Sequence, residues 1–121
     1  MFKIQIFADA QGNQPIKEYL AGLTGKSDKD NRIKLNKIDY CFQVLREYGT
    51  RAGLPIVKHI RGDIWELRPL RDRFFFFGWK GDTFILLHHY VKKTQKTPQK
   101  EIEQAERNLK DFMERIGDDE K

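Results

Sequence analysis

The stretch Arg73–Trp79, which reads RFFFFGW, decides the fold of this chain. Successive residues of a strand point to opposite faces of a sheet, so a half-exposed strand alternates apolar and polar residues. The run Phe74–Phe77 is instead apolar in both phases. We therefore expect this strand to be covered on both faces and to lie at the centre of its sheet.

Other short segments rich in branched and aromatic residues flank this strand along the chain. The predicted strands are 3–8, Pro55–Ile60, Ile64–Arg68, Arg73–Trp79 and Thr83–Val91. The links between the last four contain glycine, proline and aspartate, which is the chemistry of tight turns. One of these links, Arg-Gly-Asp at 61–63, is accordingly interpreted as a hairpin turn. Strands joined by such short links form an antiparallel meander.

Apolar residues at helical spacing predict three helices. The first begins at Pro15, the second covers about Asn31–Tyr48 and ends before Gly49, and the third begins after Pro98. We expect the first two to form a hairpin. The prediction is one α+β domain over 1–121, in the order β-α-α-β-β-β-β-α, with a small, mainly antiparallel sheet and a C-terminal helix. Residues 117–121 are predicted to be a frayed acidic tail.

Composition excludes several classes of function. Cys41 is the single cysteine of the 121 residues, so one chain cannot build a disulfide framework or a cysteine zinc site. No run of about 18 apolar residues could span a membrane, and the N-terminus lacks the pattern of a signal peptide. No phosphate-binding glycine loop or metalloprotease motif is present. We expect a cytoplasmic protein that uses no cofactor and no metal.

Charge is unevenly distributed along the chain, whose net charge is +5. Residues 51–100 carry 11 basic and 4 acidic side chains, whereas residues 101–121 carry 4 basic and 8 acidic ones. A concentration of positive charge in one segment favours a face that binds phosphates.

Two arginines mark the candidate site on this basic segment. Arg68 and Arg73 flank a short connection, and antiparallel pairing of their strands would bring the two side chains close together. Two guanidiniums at such a distance repel each other unless an anion lies between them. That anion is either a phosphate, which the arginine fork binds bidentately, or a carboxylate of this chain, Glu66 or Asp72.

The segment that enters the last helix is a second basic cluster. It contains Lys92, Lys93 and Lys96, next to the free N–H groups expected at the helix N-terminus. The adjacent His88 and His89 must point to opposite faces of their strand, so they cannot chelate one metal ion together. Either is a structural residue or, because the imidazole pKa lies near neutrality, a general acid or base.

The order of elements and four short motifs resemble the RelE/ParE toxin superfamily. The motifs are Trp65-Glu66-Leu67-Arg68-Pro69, Arg73-Phe74-Phe75, Leu86-Leu87-His88 and Lys92-Lys93-Thr94-Gln95-Lys96-Thr97-Pro98. The last of these is the most specific, and it is similar to the HigB-like branch that includes phage-derived members. The resemblance covers nearly the whole chain and implies a RelE-like fold.

This resemblance implies the toxin of a type II toxin–antitoxin system, a metal-independent endoribonuclease that cuts mRNA in the ribosomal A site and so inhibits translation. The residues expected to be catalytic are Arg68, Arg73, His88, Lys92 and Lys93. Those expected to bind RNA are Lys58, Arg61, Arg71 and Lys96. RelE members often carry a catalytic tyrosine near the C-terminus, and here none follows Tyr90, so His88, His89 and Tyr90 are the candidates for the general base.

The resemblance also implies a partner, a cognate antitoxin with a HigA-like helix-turn-helix domain. Two other functions stay open at this point. A ParE-like toxin would inhibit DNA gyrase by binding, without catalysis, and a basic accessory protein would bind nucleic acid without being toxic.

Overall fold

The computed structural model describes residues 1–117, which form three helices and one five-stranded sheet. The elements are β1 (Lys3–Ile6), α1 (Pro15–Thr24), α2 (Lys29–Tyr48), β2 (Val57–Arg61), β3 (Ile64–Leu67), β4 (Asp72–Trp79), β5 (Thr83–Val91) and α3 (Gln99–Phe112). A short 3-10 turn follows α2, and a π-helical turn, Met113–Gly117, follows α3. The predicted α+β class and element order are confirmed. All of the predicted frayed tail except Gly117 lies outside the described residues.

The sheet has the strand order β1-β5-β4-β3-β2, so β4 is its central strand, as the phenylalanine run predicts. Strands β2 to β5 form an antiparallel meander, and β1 is added parallel to β5. Opposite Phe75 and Phe76 the register of β5 shifts by one residue, which leaves Leu87 as a bulge.

The central strand separates two hydrophobic cores. Phe74 and Phe76 belong to the core formed with α1 and α2, whereas Phe75 and Phe77 belong to the core formed with α3. All four rings are buried. Both faces of β4 are therefore sealed from water, and the ends of this strand are the places where polar groups meet the core.

Several element boundaries differ from the sequence prediction by about two residues. Helix α2 begins at Lys29 rather than Asn31 because the side chain of Asp28 caps it, accepting a hydrogen bond from the Asn31 N–H at 2.9 Å. Strand β2 begins at Val57 rather than Pro55 because the N–H groups of Ile56 and Val57 both bond the Gly53 carbonyl in a turn. Strand β1 ends at Ile6 rather than at residue 8.

Gly49 ends α2 in a backbone conformation that is sterically unfavourable for any residue with a side chain. Its φ is +61° and its ψ is −149°, a region that only glycine occupies readily. A Cβ on Gly49 would also lie 2.8 Å from the ring of Phe2. The end of α2 and the start of the chain are therefore packed too closely for any other residue.

We expect Gly49→Ala to lower the free energy of unfolding by about 1–3 kcal/mol, through backbone strain and the clash with Phe2. Gly22→Ala is the matched control, because Gly22 lies in α1 with nothing within 4 Å of an added Cβ. It should be neutral or stabilise by about 0.5–1 kcal/mol. Urea denaturation measures both, and equal stability of the two variants would contradict this account of Gly49.

Candidate functional site

Five of the predicted site residues line one pocket, which we call the basic pocket. Its lining consists of Arg68, Arg71, Arg73, Lys92, Lys93, Thr94 and Gln95, around a cavity of about 320 Å³. Because the strands pair in antiparallel fashion, the C-terminal end of β3, the N-terminal end of β4 and the C-terminal end of β5 lie side by side at one end of the sheet. Side chains that are far apart along the chain therefore converge there.

Backbone hydrogen bonds fix the segments that carry the basic pocket. The Lys92 N–H donates to the Arg71 carbonyl at 2.7 Å, which joins the end of β5 to the turn before β4. The Arg68 N–H donates to the Ile56 carbonyl at 2.9 Å, which extends the pairing of β3 with the edge strand. The pocket is thus built on the rigid end of the sheet.

Glu66 is the anion between the two arginines. Its Oε1 lies 3.4 Å from Arg68 Nε and 3.9 Å from Arg73 Nε, and the residue is 1% exposed. Burial raises the pKa of Glu66 above its ordinary value, while the charges of Arg73 and Arg68 oppose that shift. Of the two carboxylates considered from the sequence, Glu66 therefore pairs with both guanidiniums.

One carboxylate does not neutralise this site. Five cationic side chains line the basic pocket, and Glu66 offsets the charge of one of them. The excess positive charge is held in a partly desolvated cavity, where electrostatic interactions are stronger than in water. The arrangement is suited to bind an anion with several oxygen atoms, such as the phosphates of a nucleic acid.

Arg73 is the most constrained of these cations, since it is only 7% exposed. Its Nη1 donates to the carbonyls of Leu70 at 2.7 Å and Asp72 at 2.9 Å. These bonds and Glu66 fix the guanidinium before any ligand arrives. An arginine held in this way needs little reorganisation on binding an anion.

Lys92 lies beside the arginines and is affected by them. Burial and the positive charges of Arg73 and Arg68 lower the pKa of Lys92 below its ordinary value. A lysine with a lowered pKa gives up its proton more readily than an exposed one. Lys92 is therefore the cation of the pocket best suited to proton transfer.

Tyr90 lies opposite Arg73 on β5 and its side chain is buried. Burial and the charge of Glu66 raise the pKa of its hydroxyl, which keeps its proton at neutral pH. A hydroxyl that keeps its proton is not ready to act as a base, and Tyr90 does not line the basic pocket.

The two adjacent histidines point to opposite faces of the sheet, as their spacing predicts. His88 faces α3, where its Nε2 lies 2.9 Å from Glu101 Oε1. His89 faces α1, where its Nε2 lies 2.7 Å from Asp72 Oδ1 and its ring stacks on Tyr19. Neither histidine lines the basic pocket.

The remaining predicted residues lie around the pocket or away from it. Lys58 stands opposite Glu66 on β2, where it is exposed. Arg61 is drawn to α3, where its guanidinium forms a two-point ion pair with Glu106. Lys96 is exposed in the loop after β5 and does not line the pocket. The structure thus groups Arg71 with the arginine pair and leaves Arg61 outside this group.

Sequence reasoning missed a second polar cluster, centred on Asp72 on the other face of the sheet. Asp72 is 0% exposed, and its Oδ1 accepts a hydrogen bond from the Tyr19 hydroxyl at 2.6 Å in addition to that from His89. Lys34 Nζ lies 3.5 Å from Oδ2. Alternation along β4 could have shown that Asp72 and Arg73 face opposite sides, but not which helices meet Asp72.

The family of the chain follows from its sequence match. The family described as phage derived protein Gp49-like (DUF891) matches residues 27–110. The chain belongs to this family. Gp49-like proteins are a RelE/toxin-like family, so the chain is a phage-derived, toxin-like protein. A search of curated proteins finds no match to the chain.

The Gp49-like region contains the whole basic pocket and the Asp72 side chain. It begins just before α2 and leaves out β1 and α1. Within residues 1–117, no group of three or more His, Cys, Asp or Glu residues is placed to hold a metal ion. None of the helices described is both long and apolar enough to cross a membrane.

The Asp72 cluster makes a testable contribution to acid stability. Burial alone would raise the pKa of Asp72, but the hydrogen bonds from His89 and Tyr19 and the charge of Lys34 bring it below its ordinary value. A lowered folded-state pKa stabilises the fold above the unfolded value of about 4, and that stabilisation is lost as the pH falls through the folded-state pKa.

We therefore expect Asp72→Asn to lower the free energy of unfolding at pH 7 by about 1–3 kcal/mol. We also expect the free energy of unfolding of this variant to fall less steeply than that of the unmodified chain as the pH is lowered below about 5. The matched control is Asp63→Asn, which alters an exposed turn residue. Urea denaturation across this pH range tests both. An acid dependence as steep in Asp72→Asn as in the unmodified chain would show that the cluster does not act in this way.

Proposed function

We propose that this chain is the HigB-like toxin of a type II toxin–antitoxin system and a ribosome-dependent mRNA endoribonuclease that inhibits translation. The observation that supports it is the basic pocket, in which five cations converge with a single buried carboxylate. Such a site is complementary to the charge that builds on a phosphate during cleavage. Membership of a toxin-like family supports the toxin part of the proposal.

The proposed reaction is attack of an RNA 2′-hydroxyl on the adjacent phosphorus. A bond forms between the 2′-oxygen and phosphorus, the bond to the 5′-oxygen breaks, and a cyclic phosphate and a free 5′-hydroxyl result. Arg68 and Arg73 stabilise the negative charge on the phosphorane oxygens, since preorganised donors act most strongly where charge develops. Lys92, with its lowered pKa, gives a proton to the leaving 5′-oxygen.

His88 is the candidate that we retain for accepting the proton of the 2′-hydroxyl, from a position outside the lining of the basic pocket. His89 lies on the opposite face of the sheet, bonded to Asp72, and Tyr90 keeps its proton. His88 faces the same side of the sheet as Arg73, and its Nε2 lies 2.9 Å from Glu101 Oε1, which orients the ring. No step of this scheme requires a cofactor or a metal ion.

A toxin of this kind requires a protein that restrains it. The proposed partner is an antitoxin with a HigA-like helix-turn-helix domain, and the proposed substrate is mRNA in the ribosomal A site. Lys93 would add its charge to the catalytic group. Lys58, Arg71 and Lys96 would contact the RNA backbone around the cleaved phosphate, and Arg61 would contact it farther away.

The experiment is induction of the chain alone in a bacterial host, with pulse-labelling of protein and DNA synthesis. We expect protein synthesis to fall first. Arg68→Ala and Arg73→Ala should each lower the cleavage rate by about 10²–10³, whereas Arg51→Ala, which removes an exposed arginine far along the chain from the pocket, should have no effect. Circular dichroism of each variant checks that it is folded.

Three other outcomes would each contradict part of the proposed function. Full toxicity of both Arg68→Ala and Arg73→Ala would show that the catalytic assignment is wrong. An early fall in DNA synthesis would favour the ParE-like, gyrase-binding function. Normal growth on soluble expression of the unmodified chain would favour a non-toxic nucleic-acid-binding protein.

A further inference from the structure

A second cavity, of about 390 Å³, lies at the edge of the sheet where β1 ends and β5 continues. Strand β1 pairs with β5 only as far as Leu86, and the Phe7 N–H donates to the Leu86 carbonyl at 2.9 Å. The chain then turns away, whereas β5 runs on to Val91. We call this cavity the edge pocket. Its walls include Phe7, Asp9, His88, His89, Gln104 and Asn108.

The edge pocket is built partly from segments that the family match does not cover. Phe7 and Asp9 precede residues 27–110, whereas the walls formed by β5 and α3 lie within them. The cavity therefore depends on a part of this chain outside the Gp49-like region. His88 is the only residue of its lining that the proposed function uses.

The two histidines both line the edge pocket because it spans the sheet edge between the two faces. Their Nε2 atoms are held by carboxylates, that of His88 by Glu101 at 2.9 Å and that of His89 by Asp72 at 2.7 Å. A carboxylate only accepts hydrogen bonds, so in the neutral imidazole Nε2 carries the proton. Each ring is thus oriented, and Nδ1 is the nitrogen that can accept a hydrogen bond from a ligand.

Asp9 supplies a further acceptor whose position is fixed by the turn after β1. Its Oδ1 accepts hydrogen bonds from the N–H groups of Gln11 and Asn13, each at 2.9 Å, and its Oδ2 accepts one from Asn13 Nδ2 at 3.2 Å. A carboxylate has about four lone-pair sites, so Oδ2 keeps one for a ligand. The hydrogen bond from the Asn13 N–H is the main cause that holds the pKa of Asp9 below its ordinary value.

The edge pocket differs in charge from the basic pocket. No lysine or arginine of residues 1–117 lines it, so it is not suited to a phosphate. Its two amide side chains satisfy each other, since Gln104 Nε2 donates to Asn108 Oδ1 at 2.9 Å and Asn108 Nδ2 donates to the Leu87 carbonyl at 2.8 Å. These amides shape the wall, and the acceptors left for a ligand belong to Asp9 and the histidines.

The rings in the lining indicate a flat ligand. Phe7, His88 and His89 are aromatic, and the buried Ile16 and Leu87 complete an apolar floor. Phenyl and imidazole rings are the surfaces on which proteins stack nucleobases. The volume is at the small end of the range of about 300–1,000 Å³ for ligand pockets, which suits one small ring system. Acceptors at the rim require N–H donors on that ring.

We propose that the edge pocket binds a purine base that carries N–H donors, with the ring among the aromatic side chains and its donors on Asp9 and a histidine Nδ1. The base belongs either to a free nucleoside or to an unpaired nucleotide of RNA, because both present the same ring. This inference does not rest on the proposed function, since binding of a base requires neither cleavage nor a ribosome.

The test is a titration of the full chain with guanosine and adenosine, followed in proton–nitrogen spectra of the histidine rings. The chain has three histidines, and His59 bonds the Gly62 carbonyl in the β2–β3 turn, outside the edge pocket. We expect the ring signals of His88 and His89 to shift while those of His59 stay in place. Purine riboside, whose base has no N–H donor, should bind at least about tenfold more weakly, because it leaves the acceptors unpaired.

Two substitutions place the ligand in the pocket. Asp9→Asn keeps one oxygen for the turn but exchanges the other acceptor for a donor, so it should raise the Kd for guanosine at least about tenfold. Gln104→Trp should abolish binding by filling the cavity. The matched controls are Asp63→Asn and Glu103→Trp, which alter exposed residues outside the lining and should bind as the unmodified chain does. The Tm of each variant checks that it is folded.

A short single-stranded RNA of purines, made resistant to cleavage by 2′-O-methyl groups, identifies the source of the base. If the pocket takes a base of RNA, Asp9→Asn and Arg68→Ala should each weaken binding of this oligonucleotide. If it takes a free nucleoside, Asp9→Asn should weaken binding of guanosine and leave that of the oligonucleotide unchanged.

The inference is overturned if the purine nucleosides leave the signals of His88 and His89 unshifted, or if purine riboside binds as tightly as guanosine. It is also overturned if folded Asp9→Asn and Gln104→Trp bind guanosine as the unmodified chain does. Toxicity tests the proposed function separately. A non-toxic chain that binds guanosine keeps the edge pocket, and a toxic one that binds no purine keeps only the proposed function.

Discussion

The structure depends on the burial of β4 on both faces. Phe74–Phe77 fill two cores, so the strand that carries them is the central one. The first two residues of this strand are therefore buried as well. Those residues are Asp72 and Arg73, which face opposite sides and are 0% and 7% exposed. A charge buried in this way is costly unless it is paired, so each face of the sheet needs a partner for it.

The two faces meet this requirement differently. Around Asp72, hydrogen bonds from Tyr19 and His89 and the charge of Lys34 balance one carboxylate. Around Arg73, the single carboxylate of Glu66 forms ion pairs with two arginines. Lys92 and Lys93 do not lie within ion-pair distance of that carboxylate. On the Asp72 face the negative charge is therefore balanced by Lys34 and by two hydrogen bonds. On the Arg73 face an excess of positive charge remains in a preformed cavity. That imbalance is the physical basis for proposing a phosphate-binding active site.

Features set by local pattern could be predicted from the sequence. The phenylalanine run predicted that β4 is the central strand. The short connection between two antiparallel strands predicted that Arg68 would lie near Arg73, and strand alternation predicted that His88 and His89 would face apart. Features set by long-range packing could not. Tyr19 reaches Asp72 across 53 residues, and Arg61 turns to Glu106 because of how α3 is seated on the sheet. The spacing of residues in the sequence predicts neither contact. The positive φ of Leu70 could not be predicted either, because positive φ is expected at glycine and this position is a leucine.

The proposed role of the excess charge in the basic pocket is the cleavage of mRNA on the ribosome. It is tested most directly by inducing the chain alone and mapping the 5′ ends of mRNA, with and without a block on translation. We expect new 5′ ends that are spaced in the reading frame, carry a free hydroxyl and disappear when translation is blocked. Growth arrest with uncut mRNA would contradict it, and so would cuts that persist without translation.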